Sequence, residues 1–245
     1  MRNPIYQFMV LCAIGILSIF MMTGCQNNSL SDEDIQKGTI PNIGVLHNEI
    51  LDNIFENLMT SVTRSGKISA AEFQALCITE ASKSAIEKDS SLNLQEVEDR
   101  IAEVSTLSVE DIKAYMDGND LYVIDTISQM LTQEITGADI REYILSSNLD
   151  EQKTQAALAF YETYEESKSY WEVNKEAWIN YIQTNVALDE PMTRGRFGHI
   201  SWGQVIFADA YYGWYFMVSS GCNVVMGAGG AAVGSAFSAL SNMYG

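Results

Sequence analysis

The sequence predicts an all-α protein, in which a bundle of short amphipathic helices is followed by an aromatic and glycine-rich helical hairpin. Proline, which interrupts helices, is absent between Pro41 and Pro191. Apolar residues in that interval recur at steps of three and four, the spacing that gives a helix one apolar face. Residues that cap helix N-termini stand at the start of several of these segments. Strand signals are few, and the best of them, residues 120–127, is short and lies among helices.

The first predicted helix carries a broad apolar face. Leu46, Ile50 and Ile54 recur at four-residue steps and would share one side of the helix. Ser69 followed by Glu72 has the pattern of a capping box, in which each side chain satisfies a backbone N–H at a helix start. A second helix is therefore expected to open after Ser69.

The middle of the chain continues as helices joined by short loops. Ser108 with Asp111 marks the start of a short helix, and Asn148 or Asp150 caps a long segment that runs through Lys168. Apolar stripes predict three further helices, over residues 94–104, 121–132 and 138–146. The pattern contains no internal repeat and no solenoid period.

Changes in composition divide the chain into five parts. These are a lipoprotein signal peptide (1–24), a polar acidic tether (25–41), an acidic helical domain (42–190), a linker (191–200) and an aromatic and glycine-rich helical segment (201–245).

The first 25 residues predict export and lipidation. A positively charged start precedes residues 8–22, an apolar run that suits a signal peptide and is short for a membrane-spanning helix. Thr23, Gly24 and Cys25 resemble a bacterial lipobox, in which the cysteine is lipidated and becomes the mature N-terminus; Met22 stands where leucine is usual. The alternative is an ordinary secretory signal or an uncleaved anchor, in which Cys25 has no role.

The tether and the charge balance bear on location and partners. The acidic run of residues 32–34 resembles surface-export signals of lipoproteins from Bacteroides-type bacteria, and its alternative is a solvated linker. Lys and Arg total 14 against 32 Asp and Glu, for a net charge of -18. Binding to nucleic acid or to anionic lipid headgroups requires clustered basic residues. The sequence therefore predicts an outer-membrane lipoprotein of the cell envelope, which is exposed at the surface if the acidic run is an export signal. It predicts no nucleic-acid partner.

The late aromatic residues allow two interpretations. Trp171, Trp178 and Tyr181 fall near one face of a helix. Such a stripe serves as a platform for a sugar or peptide ligand, or it is packed in the core, where large rings bury much area. The core interpretation is favoured.

The C-terminal segment combines small residues with a lack of charge. Gly230, Gly234 and Ser238 stack at four-residue steps on a helix, with Gly227 close by, in a pattern that resembles a glycine zipper. Several glycines in one helix cost stability in water, so close packing or an apolar solvent must offset them. Three possibilities remain open: a hairpin packed within the soluble domain, insertion into a membrane alone or as an oligomer, and a docking surface for a protein partner.

The sequence motifs of familiar catalytic and metal sites are missing. The two histidines, His47 and His199, lie in no metal-binding motif, and no cysteine pair has zinc spacing. His47 shares a helix face with apolar residues and is expected to be a hydrogen-bonded core or cap residue. Cys77 and Cys222 are left to form one disulfide, or Cys77 is a buried free thiol. The sequence predicts no catalytic residue, metal or cofactor, and favours a protein that is not an enzyme.

One stretch also suggests a family. Residues 43–54, IGVLHNEILDNI, together with the lipobox, the acidic helical middle and the glycine-rich end, resemble a set of uncharacterised lipoproteins of Bacteroides-type bacteria. The resemblance implies the envelope location and the helical architecture, and it implies no activity. The expected function is a structural, binding or interaction role at the membrane, with a bilayer-inserting C-terminus as the alternative and an enzyme with an unrecognised site as a remote one.

Overall fold

The computed structural model describes residues 42–61, 66–104, 106–187 and 201–244, with the side chains of 242–244 outside that description. The predicted all-α class is confirmed, because this part of the chain is mostly helical. In chain order the elements are α1 (Ile43–Ser61), β1 (Ile68–Ser69), α2 (Ala70–Lys88), α3 (Leu94–Val104), α4 (Val109–Tyr115), α5 (Gly118–Thr132), α6 (Gly137–Ser146), α7 (Glu151–Asn185), β2 (Val186–Ala187), α8 (Trp202–Ser219) and α9 (Val224–Tyr244).

Helix starts follow the capping residues that the sequence contains. Ser69 forms a capping box with Glu72 at α2, and Ser108 forms one with Asp111 at α4. Of the two predicted caps for α7, Asp150 is the one used, since its side chain accepts a hydrogen bond from the Lys153 backbone N–H. Each cap satisfies backbone donors that have no partner within the helix.

Helix α7 is much longer than the segment through Lys168 that its first half predicts. It runs without a break from Glu151 to Asn185. At 1.5 Å per residue its 35 residues span roughly 50 Å. The continuation carries the aromatic residues, so these belong to the same helix that packs against α1 and α8.

The hairpin of α8 and α9 forms the centre of the bundle. Helix α9 packs against α8 along its length and also against α1, α2 and α3. Gly221 and Cys222 turn the chain between the two helices, both with left-handed backbone conformations (φ 68° and φ 67°). Asn223 then caps α9, because its Oδ1 accepts a hydrogen bond from the Met226 N–H at 2.9 Å.

The hydrophobic core is continuous between the acidic helical domain and the C-terminal segment. Ile54 and Phe73 from the first part and Phe216 and Val233 from the second are all buried in one cluster. A short parallel ladder, Ile68 to Val186 and Ser69 to Ala187, ties the start of α2 to the end of α7. Residues 120–127, the best strand signal in the sequence, lie within α5.

Candidate functional site

A group of polar side chains lies at the centre of the bundle, where four helices meet. We call it the polar cluster; its members are His47 from α1, Ser167 and Trp171 from α7, Asp209 from α8 and Ser235 from α9. All five are completely shielded from solvent. Charged and polar groups are rarely buried without hydrogen-bond partners, so the contacts of this cluster define what it can do.

Asp209 is the hub of the polar cluster. Its Oδ2 accepts hydrogen bonds from Ser235 Oγ at 2.7 Å, from Trp171 Nε1 at 3.1 Å and from Ser167 Oγ. Its Oδ1 is buried without a partner. Burial raises the pKa of the Asp209 carboxyl to about 7, although the three donors act in the opposite direction.

His47 faces Asp209 with an unpaired nitrogen. Asn48 donates from Nδ2 to the Glu166 carbonyl at 3.0 Å, which fixes its amide so that Oδ1 accepts from His47 Nδ1 at 2.9 Å. The ring proton therefore sits on Nδ1, and Nε2 is an acceptor without a partner. That Nε2 lies 3.9 Å from Asp209 Oδ2. Burial lowers the pKa of His47 to about 4, so the ring is neutral at pH 7.

The arrangement contains the residue types of an acid–base catalyst but not their order. In a serine hydrolase the nucleophilic hydroxyl donates to histidine, whereas here Ser167 and Ser235 both donate to Asp209. A substrate would also need access, and every member of the polar cluster is enclosed. The geometry favours a group that holds four helices together and can gain or lose one proton.

The predicted ligand platform lies inside the core. Trp171, Trp178 and Tyr181 are all buried, and the two indole rings contact one another with centroids 5.7 Å apart. Trp178 Nε1 donates to Tyr170 Oη at 3.0 Å, and Tyr181 Oη donates to the Leu58 carbonyl at 3.2 Å. Their polar atoms bind protein groups, and their rings present no open face on which a sugar or peptide could stack.

The glycine stripe lies against large side chains of neighbouring helices. A Cβ on Gly230 would lie 2.0 Å from the Phe216 ring, and one on Gly234 would lie 2.3 Å from the Tyr212 ring. At Gly227 the nearest atom is Ile43 Cδ1 at 2.7 Å. The absence of side chains thus allows α9 to approach α8 and α1 closely.

Ser238, the last residue of the predicted stripe, is half-buried at the edge of a surface cleft of about 400 Å³. Gln74 and Gln204 line the same cleft from α2 and α8. A second cleft, of about 640 Å³, lies beside the turn between α8 and α9 and is lined by Glu96 and Arg100. Neither lining includes a member of the polar cluster. Within the described part of the chain, no group of three or more His, Cys, Asp or Glu residues is placed to hold a metal ion.

Cys77 is a free thiol, so the structure contains no disulfide between Cys77 and Cys222. Cys77 is buried, which raises the pKa of its thiol, whereas Cys222 is half-buried at the turn between α8 and α9. The thiolate is the reactive form of cysteine. We therefore expect a maleimide to label the native protein at Cys222, and to label Cys77 only after unfolding; peptide mapping of the labelled protein measures this. Equal labelling of both thiols in the native state would contradict the packing around Cys77.

Several predictions fall outside the described residues. These are the signal peptide, the lipidated Cys25, the acidic tether, the linker of residues 191–200 and His199.

No protein-family model, no curated protein and no solved structure matches the chain. The resemblance to lipoproteins of Bacteroides-type bacteria stays a prediction.

The sequence predicts His47 in the core, as the structure shows, but it did not predict that His47 faces Asp209. A signal for it exists: Asp209 is the last charged residue of the chain and stands in an apolar helix. A carboxylate in such a segment needs buried donors or a proton. His47, predicted on an apolar helix face, was an available partner.

Proposed function

We propose that this chain is a non-enzymatic, lipid-anchored protein of the cell envelope, whose helical domain stands in water and serves a structural, binding or interaction role. The observation that carries the proposal is the burial of α9. This apolar helix is used as the centre of the bundle, with 78% of residues Val224–Ser241 buried. Attachment to the membrane is then left to the lipid on Cys25.

The location is part of the same proposal. A lipidated Cys25 followed by a polar tether supports a location at the outer membrane, and the acidic run of residues 32–34 supports exposure at the cell surface. Several acyl chains on one residue anchor a protein stably, where a single chain is marginal. The strongly acidic composition of the chain, with a net charge of -18, favours solubility and disfavours contact with anionic headgroups.

The enclosed polar cluster supports a role without catalysis. The serine protons are directed at Asp209, and no member of the cluster meets solvent. A partner would meet the exterior of the bundle, where acidic side chains outnumber basic ones.

Metabolic labelling with an alkyne-bearing fatty acid tests the anchor. We expect the wild-type protein to incorporate the label and Cys25→Ser to incorporate none. Cys222→Ser is the matched control, because it removes a thiol that lies far along the chain at a helix turn, and it should label like the wild type. Labelling of Cys25→Ser, or a lack of label on the wild type, would contradict the proposal.

A second candidate function is membrane activity of the C-terminal hairpin. One observation favours it: within the described residues, Val224–Ser241 is long and apolar enough to cross a membrane. Core helices of soluble proteins pass the same test. Because most of this segment is buried, membrane activity requires α8 and α9 to leave the bundle.

A further inference from the structure

We propose that α8 and α9 form a stored hairpin whose partner is a lipid bilayer, and that the polar cluster retains this hairpin in the bundle until acid releases it. The inference rests on the second candidate function and adds the residues that would control it.

The hairpin carries no charged side chain once Asp209 is neutral, and its second helix, α9, is apolar enough to cross a bilayer. Residues 201–245 contain no lysine, arginine, histidine or glutamate, and Asp209 is their one acidic side chain. Helices α8 and α9 have 18 and 21 residues, or roughly 27 and 31 Å, against a hydrocarbon core of about 30 Å. Loss of one negative charge therefore leaves a hairpin without charged side chains.

The hairpin can also keep its internal contacts after leaving the bundle. Gly230 lies against Phe216 and Gly234 against Tyr212, and all four residues belong to the hairpin. Ser235 Oγ donates to Asp209 within the hairpin as well. Close packing of small residues and buried hydroxyl donors are the features that hold helices together in membranes.

The remaining contacts of Asp209 join the hairpin to the rest of the bundle. Ser167 and Trp171 donate to it from α7, and His47 faces it from α1. Tyr212 lies on the same helix as Asp209, and burial together with the negative charge of Asp209 raises the pKa of the Tyr212 hydroxyl. Among the described residues, these side chains are the polar and titratable groups shown to face Asp209, and His47 in turn is faced by Asn48 and Asp209. Release of the hairpin breaks the contacts to α1 and α7 and exposes His47.

Protons favour release as the pH falls. In the bundle His47 stays neutral down to a pKa of about 4, whereas the exposed ring has an ordinary pKa near 6.5. When the hairpin passes from the bundle into a bilayer, Asp209 stays protonated in both states below pH 7, so the proton uptake on opening comes from His47. At pH 4.5 this uptake favours the open state by roughly 70-fold relative to pH 7.5. Asp209, with a pKa of about 7 in the bundle, is already neutral at that pH and can enter a bilayer without charge. Above pH 7 it carries a charge that opposes entry.

The experiment uses the lipidated mature protein on phosphatidylcholine vesicles, which carry no net charge to repel an acidic chain. A fluorophore on Cys222 places the probe at the turn of the hairpin. We expect external iodide to quench the probe at pH 7.5 and to lose access at pH 4.5, when the turn enters or crosses the bilayer. Without vesicles, iodide should quench at both values, which separates insertion from burial within the protein.

Two variants assign the effect to the polar cluster. His47→Gln should abolish the roughly 70-fold contribution between pH 7.5 and 4.5, whereas His199→Gln, which alters the other histidine, should retain it. At pH 8, Asp209→Asn should protect the Cys222 probe from iodide more than the wild type does. Asp125→Asn, which changes an exposed carboxylate, should give no such protection. Circular dichroism at pH 7.5 confirms that each variant is folded, and His47→Asn replaces His47→Gln if the latter is not.

The outcomes separate the two levels of the proposal. A probe that stays accessible at every pH, in the wild type and in Asp209→Asn, overturns both membrane activity and its control by acid. If the probe is protected from iodide at low pH, and His47→Gln leaves the dependence of this protection on pH unchanged, then control by the polar cluster is overturned while membrane activity stands.

Discussion

Replacing Gly230 with alanine is expected to destabilise the bundle by about 3 kcal/mol, although alanine is the better helix former by about 1 kcal/mol. The added Cβ would lie 2.0 Å from two ring atoms of Phe216 and 2.4 Å from its Cγ. Phe216 is only 1% exposed, and the contact includes the base of its ring, so rotation about its side chain cannot relieve the overlap. Urea unfolding of the variant and the wild type measures the loss.

Gly203→Ala is the matched control. Gly203 lies in the first turn of α8, and nothing lies within 4 Å of its Cβ position. Its replacement should leave stability unchanged or raise it by up to about 1 kcal/mol, as helix propensity alone dictates. Equal effects of the two substitutions would mean that α9 is not packed closely against α8.

Replacing Asp209 with asparagine is expected to change how stability depends on pH. The folded pKa of Asp209 is raised to about 7 from an ordinary 3.8, so the folded state binds a proton that the unfolded state has lost. Stability from this group is therefore complete below about pH 4 and is lost as pH rises to about 7. The variant should gain on the wild type by on the order of 4 kcal/mol across that interval. Urea unfolding at steps from pH 4 to 8 measures the difference.

Asp125→Asn serves as the control for this measurement, because its side chain is 49% exposed and should show no comparable gain. A constant difference between Asp209→Asn and the wild type over this pH range would show that the carboxylate is solvated, and would contradict the burial of the polar cluster.

His47 changes the pH dependence of stability with the opposite sign. Its folded pKa is lowered to about 4, so the unfolded state binds a proton first and stability falls as pH drops from about 6.5 toward 4. As the pH falls over the same interval, the contribution of Asp209 to the free energy of unfolding rises. The two contributions nearly cancel between pH 4 and 6.5, so the polar cluster itself contributes a flat profile there. Substitution of either residue exposes the slope that the other produces.

The parts of the fold that depend on neighbours in sequence could be predicted. The capping boxes at Ser69 and Ser108 and the cap at Asp150 follow from residues three positions apart, and each marks a helix start in the structure. The length of helix α7 was harder to predict, because the apolar face of its second half consists mainly of widely spaced aromatic residues, a pattern that also suits a ligand platform. Its end at Asn185 is set by tertiary contacts and by the ladder of β2.

The polar cluster could be predicted only in fragments. The burial of His47 followed from the apolar face it shares, and the oddity of Asp209 followed from the uncharged segment around it. Their approach to 3.9 Å depends on how α7 and α9, which each contact both α1 and α8, bring these two helices together, and no local pattern encodes that packing. Similarly, the small residues predicted that α9 packs closely against another helix, but they could not show whether this packing occurs within a soluble domain or within a membrane.

The central claim is that the apolar C-terminal segment is the core of a water-exposed domain and that lipid alone attaches it to the membrane. The most direct test replaces the signal peptide with a cleavable one, changes Cys25 to serine, and fractionates cells at neutral pH with a high-salt wash. We predict that the protein appears in the soluble fraction, folded and with Cys77 protected from maleimide. Retention in the washed membrane pellet would contradict the account, because α9 would then be embedded in the bilayer at a pH where the polar cluster should hold it in the bundle.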